Sequence, residues 1–260
     1  MSKLSIVVCS YNQANFIRET LESLFNQQNL SPGQLEVIVI DGASTDGSRE
    51  IVAEYKDKLA YFVSEPDNGQ THALNKGFAK ATGDIRGWLC SDDLLEPGAV
   101  RFVLDFLASH PRIDFIYGDF KVIDENGAFL KLRKEIPFSW FIWAYGGHNY
   151  IPQPSAFWRQ ELHEQAHGLD EAFDLGMDSD LWARFSERTK PHHVNKVLSA
   201  VRWYPAAKSQ RMRELSVNDH HRVCLRYGVD HSSLRTRLLK VIAKTCRVSW
   251  KLATGCYWSM

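Results

Sequence analysis

Four short apolar runs, residues 4–9, 35–40, 59–64 and Ile85–Cys90, alternate with segments whose apolar residues recur at helical spacing. This alternation constrains the fold more than any other feature. Strands separated by helices pair in parallel, and the helices cover both faces of the sheet. The first run ends at Ser10-Tyr11-Asn12 and leads into a helical pattern over 15–26, with Phe16, Ile17, Leu21, Leu24 and Phe25 on one face. Ser31-Pro32-Gly33 breaks the chain before the second run, which Asp41 closes. Ser44-Thr45-Asp46-Gly47-Ser48 then supplies turn residues and caps for a helix reaching Tyr55. Glu65-Pro66-Asp67-Asn68-Gly69 follows the third run as a loop, and the spacing predicts a helix over 72–81. Pro97-Gly98 opens a further helix whose face, Val100, Val103, Leu104 and Leu107, ends at His110-Pro111.

After Asp119 the pattern changes. Residues 120–123 and 128–132 flank Asp124-Glu125-Asn126-Gly127 and predict a hairpin. An aromatic, turn-rich stretch over 138–158 leads to short helices near 159–166 and 180–188. The expected organisation is an α/β half over 1–119, a second half of the same domain over 120–215 that builds a pocket, and a helical tail over 216–260.

With 260 residues, 44% of them hydrophobic, the chain can bury one large core. Lys+Arg and Asp+Glu both total 31, a balance that does not suggest a nucleic-acid binder. Locally the balance differs: from His220 onward eight Lys/Arg face the single Asp230. Five scattered cysteines without a CxxC pair fit a reducing cytoplasm. Met1-Ser2-Lys3 runs straight into a strand-like segment without a signal-peptide pattern, and no apolar run approaches the ~18 residues that span a bilayer. A cytoplasmic protein is expected.

Three acidic patches follow apolar or glycine-marked segments: Asp41-Gly42, Ser91-Asp92-Asp93 and Asp178-Ser179-Asp180. The second sits at the carboxyl end of a strand, where open α/β sheets bind ligands. Its adjacent hard oxygen donors suit Mg²⁺ or Mn²⁺, cations that offset diphosphate charge. Each patch also has a plainer reading. Asp41 either accepts a hydrogen bond from a nucleobase edge or caps the turn at 44–47. Asp92 and Asp93 either hold nucleotide and metal or cap the helix entered at Pro97. Asp178 and Asp180 head a helix, and capping is the favoured reading of Asp180.

These segments resemble a known family. Ser5-Ile6-Val7-Val8-Cys9-Ser10-Tyr11-Asn12, Glu36-Val37-Ile38-Val39-Ile40-Asp41-Gly42-Ala43-Ser44-Thr45-Asp46-Gly47-Ser48, Asn75-Lys76-Gly77-Phe78-Ala79-Lys80-Ala81-Thr82-Gly83-Asp84 and Ser91-Asp92-Asp93 stand in the order and spacing of family 2 glycosyltransferases. The resemblance is close over 4–100 and looser to Ser209. It implies a GT-A fold (a Rossmann-like, mostly parallel sheet flanked by helices), a nucleotide-diphosphate sugar donor, UDP favoured, a divalent metal (Mn²⁺ or Mg²⁺) and transfer with inversion. It places Ser10, Tyr11 and Asp41 on the nucleoside, Asp92 on the ribose and nucleotide, and the metal on Asp93. Cys90 stands where the common Asp-Ser-Asp-Asp form has its first carboxylate and is expected to pack as a small hydrophobe. Asn75 and Lys76 fall on the donor side, Lys76 either pairing with diphosphate or lying solvated, and Asp67-Asn68-Gly69-Gln70 is expected near the donor sugar. Gly176-Met177-Asp178-Ser179-Asp180-Leu181-Trp182 resembles the family's Glu-Asp-x-Asp-Leu-Trp segment, which makes Asp178 the catalytic base and puts Trp182 on the acceptor side; Met177 replaces the usual Glu.

His163-Glu164-Gln165-Ala166-His167 satisfies the H-E-x-x-H zinc pattern, yet Gly168 ends the helix and no third ligand follows. The aromatic stretch, with His148 and Gln153 as its polar members, either lines an acceptor site or packs as ordinary core. Arg202 and Lys208 flank a basic loop expected to close over the diphosphate. Beyond Ser232, six Lys/Arg interleave with apolar residues as a basic amphipathic helix, suited to an anionic membrane surface or to docking on the body or a second subunit. A membrane contact would admit a lipid-linked acceptor as well as a glycan. The rival from another class is a sugar-nucleotide binding or scaffold protein without turnover. A nucleotidyltransferase would carry a Gly-rich basic loop after the first strand and a dehydrogenase G-x-G-x-x-G; Ser10-Tyr11-Asn12-Gln13 is neither.

Overall fold

The computed structural model describes residues 2–173 and 175–256. The four apolar runs form β1 (Leu4–Ser10), β2 (Leu35–Asp41), β3 (Tyr61–Ser64) and β4 (Ile85–Cys90), parallel and ordered β3-β2-β1-β4. Four helices cover them: α1 (Ile17–Phe25), α2 (Ser48–Ala53), α3 (Gln70–Phe78) and α4 (Ala99–Ser109). Because strand side chains alternate in direction, each strand feeds two cores. Val7, Cys9, Ile38, Ile40 and Trp88 pack beneath α3, while Leu4, Ile6, Val8, Val37, Val39 and Leu89 pack on the face of α1 and α4. Helix α3 lies so close to the sheet that a Cβ at Gly77 would meet Val7 Cγ1 at 2.3 Å. A residue larger than glycine there would lift the helix off β1.

The sheet continues through β5 (Leu94–Leu95), β6 (Phe115–Ile123), β7 (Phe129–Arg133), β8 (Ala156–Arg159) and β9 (His192–Arg202). Strand β8 runs antiparallel between β4 and β6, β9 is parallel to β6, and β5 pairs antiparallel with β9. The predicted hairpin is β6–β7. Strands β8 and β9 carry no clear signal in the sequence. Strand β8 has four residues, and the β6–β9 register shifts twice between Tyr117 and Phe120, so the period of two is broken.

Helices α5 (Trp140–Gly146), α6 (Gln160–Gln165), α7 (Met177–Ser186), α8 (Lys208–Arg211), α9 (Arg213–Arg226) and α10 (Leu234–Ala253) complete the order. Trp88, Trp158 and Trp182 meet Phe115 and Phe185 in one aromatic core, with Trp88 stacked on Trp182 at 5.6 Å between centroids. Such a pair adds ~0.5–1.5 kcal/mol beyond its area burial. Val223 and Cys224 bring α9 into this core. Helix α10 packs against α5, burying Thr236 and Ala243, while Leu234, Leu238, Val241, Ile242, Val248 and Leu252 stay exposed on its other face. None of the helices among the described residues is long and apolar enough to cross a membrane.

Candidate active site

The loops after β1 and β2 are stitched together at the carboxyl edge of the sheet. The Asn12 backbone N–H donates to Ser44 Oγ at 2.8 Å, Gln13 N–H to Ser48 Oγ at 2.8 Å, and Thr45 N–H to Asn12 Oδ1 at 3.0 Å. Asn12 and Ala43 adopt positive φ, 51° and 60°, to make these turns. Asp41 is fully buried and accepts from Ser44 N–H (2.9 Å), Ser44 OH (2.5 Å) and Ser64 OH (2.6 Å). A carboxylate offers about four lone-pair directions. The three donors leave one, on Oδ1, so the capping contact does not exhaust the acceptors of this carboxylate. Tyr11 lies beside Gly42 and is 65% exposed, and Asp67 approaches the same glycine. Ser10 Oγ is buried with no hydrogen-bond partner among the described residues. An orphaned buried hydroxyl at this edge fits a site completed by a ligand.

The end of β4 forms the acidic pole. Among the described residues, Cys90, Asp92 and Asp93 are the one group of His, Cys, Asp or Glu side chains whose ligand atoms all lie within 4.8 Å of one another. Asp93 Oδ1 accepts from Arg202 N–H at 2.9 Å, and Asp92 Oδ2 accepts from Tyr204 OH at 2.9 Å. Burial pushes the Asp93 carboxyl well above its ordinary range, with the Asp92 charge adding to the effect, and burial raises Asp92 as well. A divalent cation would relieve both the desolvation and the repulsion, so this donor set fits one.

The second pole is the first turn of α7. Asp178 is half-buried; its Oδ1 accepts from Ser179 N–H at 2.6 Å and its Oδ2 from Asn149 Nδ2 at 2.9 Å. Removal from water pushes its carboxyl up to about 6, more than these donors offset. Asn149 is itself fixed: its Oδ1 accepts from Trp143 Nε1 at 3.1 Å and Ile151 N–H at 3.0 Å. Four residues on, Gln153 donates to the Trp88 carbonyl at 2.6 Å and accepts from the Cys90 thiol at 3.6 Å. Four residues span at most about 14 Å. One short segment therefore ties the carboxyl end of β4 to the carboxylate at the head of α7. Asn149 and Tyr204 hold the two carboxylate poles and were given no role by sequence reasoning, whereas Gln70 lies in the loop expected near the donor sugar. Gln70, at the start of α3, donates to Cys9 Sγ (3.5 Å) and Cys90 Sγ (3.4 Å) and accepts from Lys208 Nζ (3.4 Å).

Several expected positions serve other ends. Arg202 was expected in a loop over the diphosphate, but it is the last residue of β9 and its guanidinium is enclosed. It donates to the carbonyls of Asp92 (3.0 Å), Asp124 (3.3 Å) and Glu125 (2.9 Å) and to Glu19 Oε2 (2.6 Å), which uses four of its five N–H donors, and the side chain has no exposed surface to turn toward a ligand. Trp182, expected on the acceptor side, is fully buried between Trp88 and Phe115. Asn75 clamps the loop before α7, donating to the Leu169 carbonyl and Glu171 and accepting from Leu169 N–H, and Lys76 pairs with Glu65 at 2.7 Å. His148 accepts from Arg247 of α10. Asp180 pairs with Arg184 (2.6 Å) and Arg226 (2.9 Å), anchoring α9. His163 is buried against Phe78 and Trp158, and burial lowers its imidazole to about 3.

A parallel half, an acidic turn at the end of β4 and a carboxylate on a facing helix define the class of GT-A folds. The profile of Glycosyl transferase family 2 matches residues 5–165, more than half of the chain, and the chain belongs to that family. Among curated relatives, an uncharacterized glycosyltransferase of Mycobacterium tuberculosis is 28% identical over 196 residues, 75% of this chain and 73% of its own. One from Rickettsia conorii is 27% identical over 232 residues, 85% of this chain but 36% of its own, and one from Rickettsia bellii is 36% identical over 130 residues, 49% and 18%. The chain thus spans well under two thirds of these rickettsial relatives. The structure is similar to S. aureus TarS in complex with UDP, with TM-score 0.65, 21% identity, and 90% of this chain and 73% of that chain covered. It is also similar to the mannosyltransferase PcManGT of Pyrobaculum calidifontis in complex with GDP-Man and Mn²⁺, with TM-score 0.67, 20% identity, and 99% and 72% covered.

Proposed function

We propose that the chain is an inverting, metal-dependent glycosyltransferase that moves a sugar from a nucleotide-diphosphate donor to a hydroxyl of a glycan or lipid-linked saccharide, serving cell-surface polysaccharide synthesis. The observation that carries this reading is Asp178: a half-buried carboxylate raised to about 6, held by Asn149, on the segment that also reaches Cys90 beside Asp92 and Asp93. A base in that range is mostly ionised at neutral pH yet basic enough to take a proton in the transition state.

The acceptor hydroxyl oxygen forms the new bond to the anomeric carbon while the bond from that carbon to the diphosphate oxygen breaks, and Asp178 takes the hydroxyl proton. Tyr11 offers a ring for the base and Asp41 its remaining lone pair for a ring N–H, an arrangement suited to uracil; the UDP complex of TarS supports the same choice. Asp93, with Asp92 beside it, would hold Mn²⁺ or Mg²⁺, which as a Lewis acid stabilises the departing diphosphate. Lys208, beside Gln70, adds positive charge at the same edge. The exposed face of α10, apolar and flanked by Arg235, Arg237 and Lys244, suits the headgroup region of an anionic membrane and hence a lipid-linked acceptor.

A screen of nucleotide sugars with Mn²⁺ and no acceptor tests the reading. Slow hydrolysis of one donor, abolished by Asp178→Asn with UDP affinity retained, is the expected result. Donor binding without turnover of any sugar, unchanged by Asp178→Asn, would instead identify a non-catalytic binding protein.

A further inference from the structure

The residue before the acidic turn is a thiol. Cys90 Sγ, an Asp92 carboxylate oxygen and an Asp93 carboxylate oxygen all lie within 4.8 Å of one another, and Cys90 is half-buried rather than sealed in the core. The thiol is oriented from two sides: it donates to Gln153 Oε1 at 3.6 Å and accepts from Gln70 Nε2 at 3.4 Å. Cys9, its register partner on β1, is buried and shares the Gln70 donor at 3.5 Å, but does not belong to the converging group. Each carboxylate keeps one oxygen without a hydrogen bond among the described residues, since Arg202 N–H occupies Asp93 Oδ1 and Tyr204 OH occupies Asp92 Oδ2.

We propose that Cys90 is a ligand of the divalent cation held at the Asp92-Asp93 turn, so that this site is a mixed sulfur and oxygen site preferring Mn²⁺ and softer cations over Mg²⁺. The inference rests on reading that turn as the cation site. On binding, the cation displaces the thiol proton to solvent and one sulfur–metal bond forms, with no change of oxidation state. The Gln70 amide, already donating to the sulfur, then stabilises the thiolate as an outer hydrogen bond. Mg²⁺ demands oxygen ligands in near-octahedral geometry and retains its waters, whereas thiolate ligands favour softer ions. A carboxylate at position 90 would make the set all-oxygen and remove that discrimination. Cys90 would thereby set which metal the site takes.

Cobalt(II) titration of the chelator-stripped full chain in the presence of UDP tests this directly, because a cobalt–thiolate bond absorbs in the near ultraviolet and a cobalt–carboxylate bond does not. The expected result is a thiolate-to-cobalt band in the wild type and in Cys9→Ser, lost in Cys90→Ser. Cys90→Ser should also weaken Co²⁺ binding on the order of 10-fold or more, and Cys90→Asp should lower the ratio of Mn²⁺ to Mg²⁺ affinity by a similar factor. Co²⁺ binding that depends on Asp93 but gives no thiolate band in the wild type would overturn the role of Cys90 while leaving the cation site standing. A band that persists in Cys90→Ser would overturn it too. If Co²⁺ does not bind even with UDP, the reading of the turn as a cation site itself fails.

Discussion

Asn149 donates its side-chain amide to Asp178 Oδ2 across 2.9 Å while its own carbonyl oxygen is held by the Trp143 indole and the Ile151 backbone. The carbonyl is thereby pinned and the NH₂ group must face Asp178. This donor favours the charged carboxylate, against a burial effect that raises Asp178 to about 6. Removing it in Asn149→Ala should push Asp178 higher still. A hydrogen bond to a charged group contributes ~1.5–3 kcal/mol, so the acid limb of the kcat profile should move up by about one to two pH units. A merely structural role for Asn149 would lower kcat equally at all pH values, which the profile distinguishes.

Asp178→Asn removes the proposed base, and transfer should fall on the order of 10²–10⁴-fold with UDP affinity retained, as measured by calorimetry. Stability should change in a pH-dependent way. Because burial raises the folded carboxyl to about 6, the native chain keeps this proton to higher pH than the unfolded chain does. The contribution of the protonated acid is present below about pH 4 and lost as pH rises through about 6. Relative to wild type, Asp178→Asn should therefore gain stability between pH 4 and 7, by on the order of 3 kcal/mol at most. Urea denaturation across that range checks the sign; a difference independent of pH would mean the carboxylate is not desolvated.

Tyr11 is largely exposed and packs on little, so Tyr11→Ala should leave the unfolding midpoint unchanged. Stacking on a base contributes ~1–3 kcal/mol, which predicts UDP binding weakened about 5-fold to 150-fold and largely restored by Tyr11→Phe. Unchanged UDP affinity in Tyr11→Ala would place the base elsewhere along the edge.

The parallel half was legible because each of its strands is a compact apolar run, and β1, β2 and β4 are largely buried on both faces while the edge strand β3 is half-buried. The acidic turn was legible because it follows such a run. Asn149 was not: one amide in an aromatic stretch carries no periodicity, and its role arises only where the 149–153 segment meets α7. Arg202 was misplaced for a related reason. The Trp-Tyr-Pro after it reads as loop, and the broken alternation of β9 hid the strand that carries it inward. Trp182 shows the converse limit, since an aromatic beside a carboxylate on a helix points either to a pocket or to the core, and only packing against Trp88 and Phe115 decides.

The buried position of Arg202 makes its own prediction. Its guanidinium holds three carbonyls and Glu19 around the Asp92-Asp93 turn. Arg202→Met should cost about 1–3 kcal/mol for each buried carbonyl it leaves without a donor, and should weaken Mn²⁺ binding because the turn loses its anchor. Lysine should rescue poorly, since one ammonium cannot reach acceptors spread over a planar fork. If Arg202→Met kept both its urea midpoint and its Mn²⁺ affinity and lost only turnover, the side chain would have to leave its cage to act on the diphosphate.

Helix α10 presents one face to α5 and the other to solvent. On the docked side Arg247 and Lys251 pair with Glu135 at 2.7 and 3.2 Å, so these cations are already committed to the body. Arg235, Arg237 and Lys244 flank the exposed apolar stripe and are themselves exposed. Near an anionic bilayer each contributes about 1 kcal/mol, and the stripe adds apolar burial. Vesicles containing phosphatidylglycerol should therefore retain the protein at low salt and release much of it at high salt, while vesicles of phosphatidylcholine alone should retain far less. Replacing the three flanking cations by glutamine should lower partitioning to the anionic vesicles by about two orders of magnitude, and Leu238→Glu with Val241→Glu should abolish it without loosening the docked face. Equal retention on neutral and anionic vesicles, or none on either, would show that the stripe serves another partner.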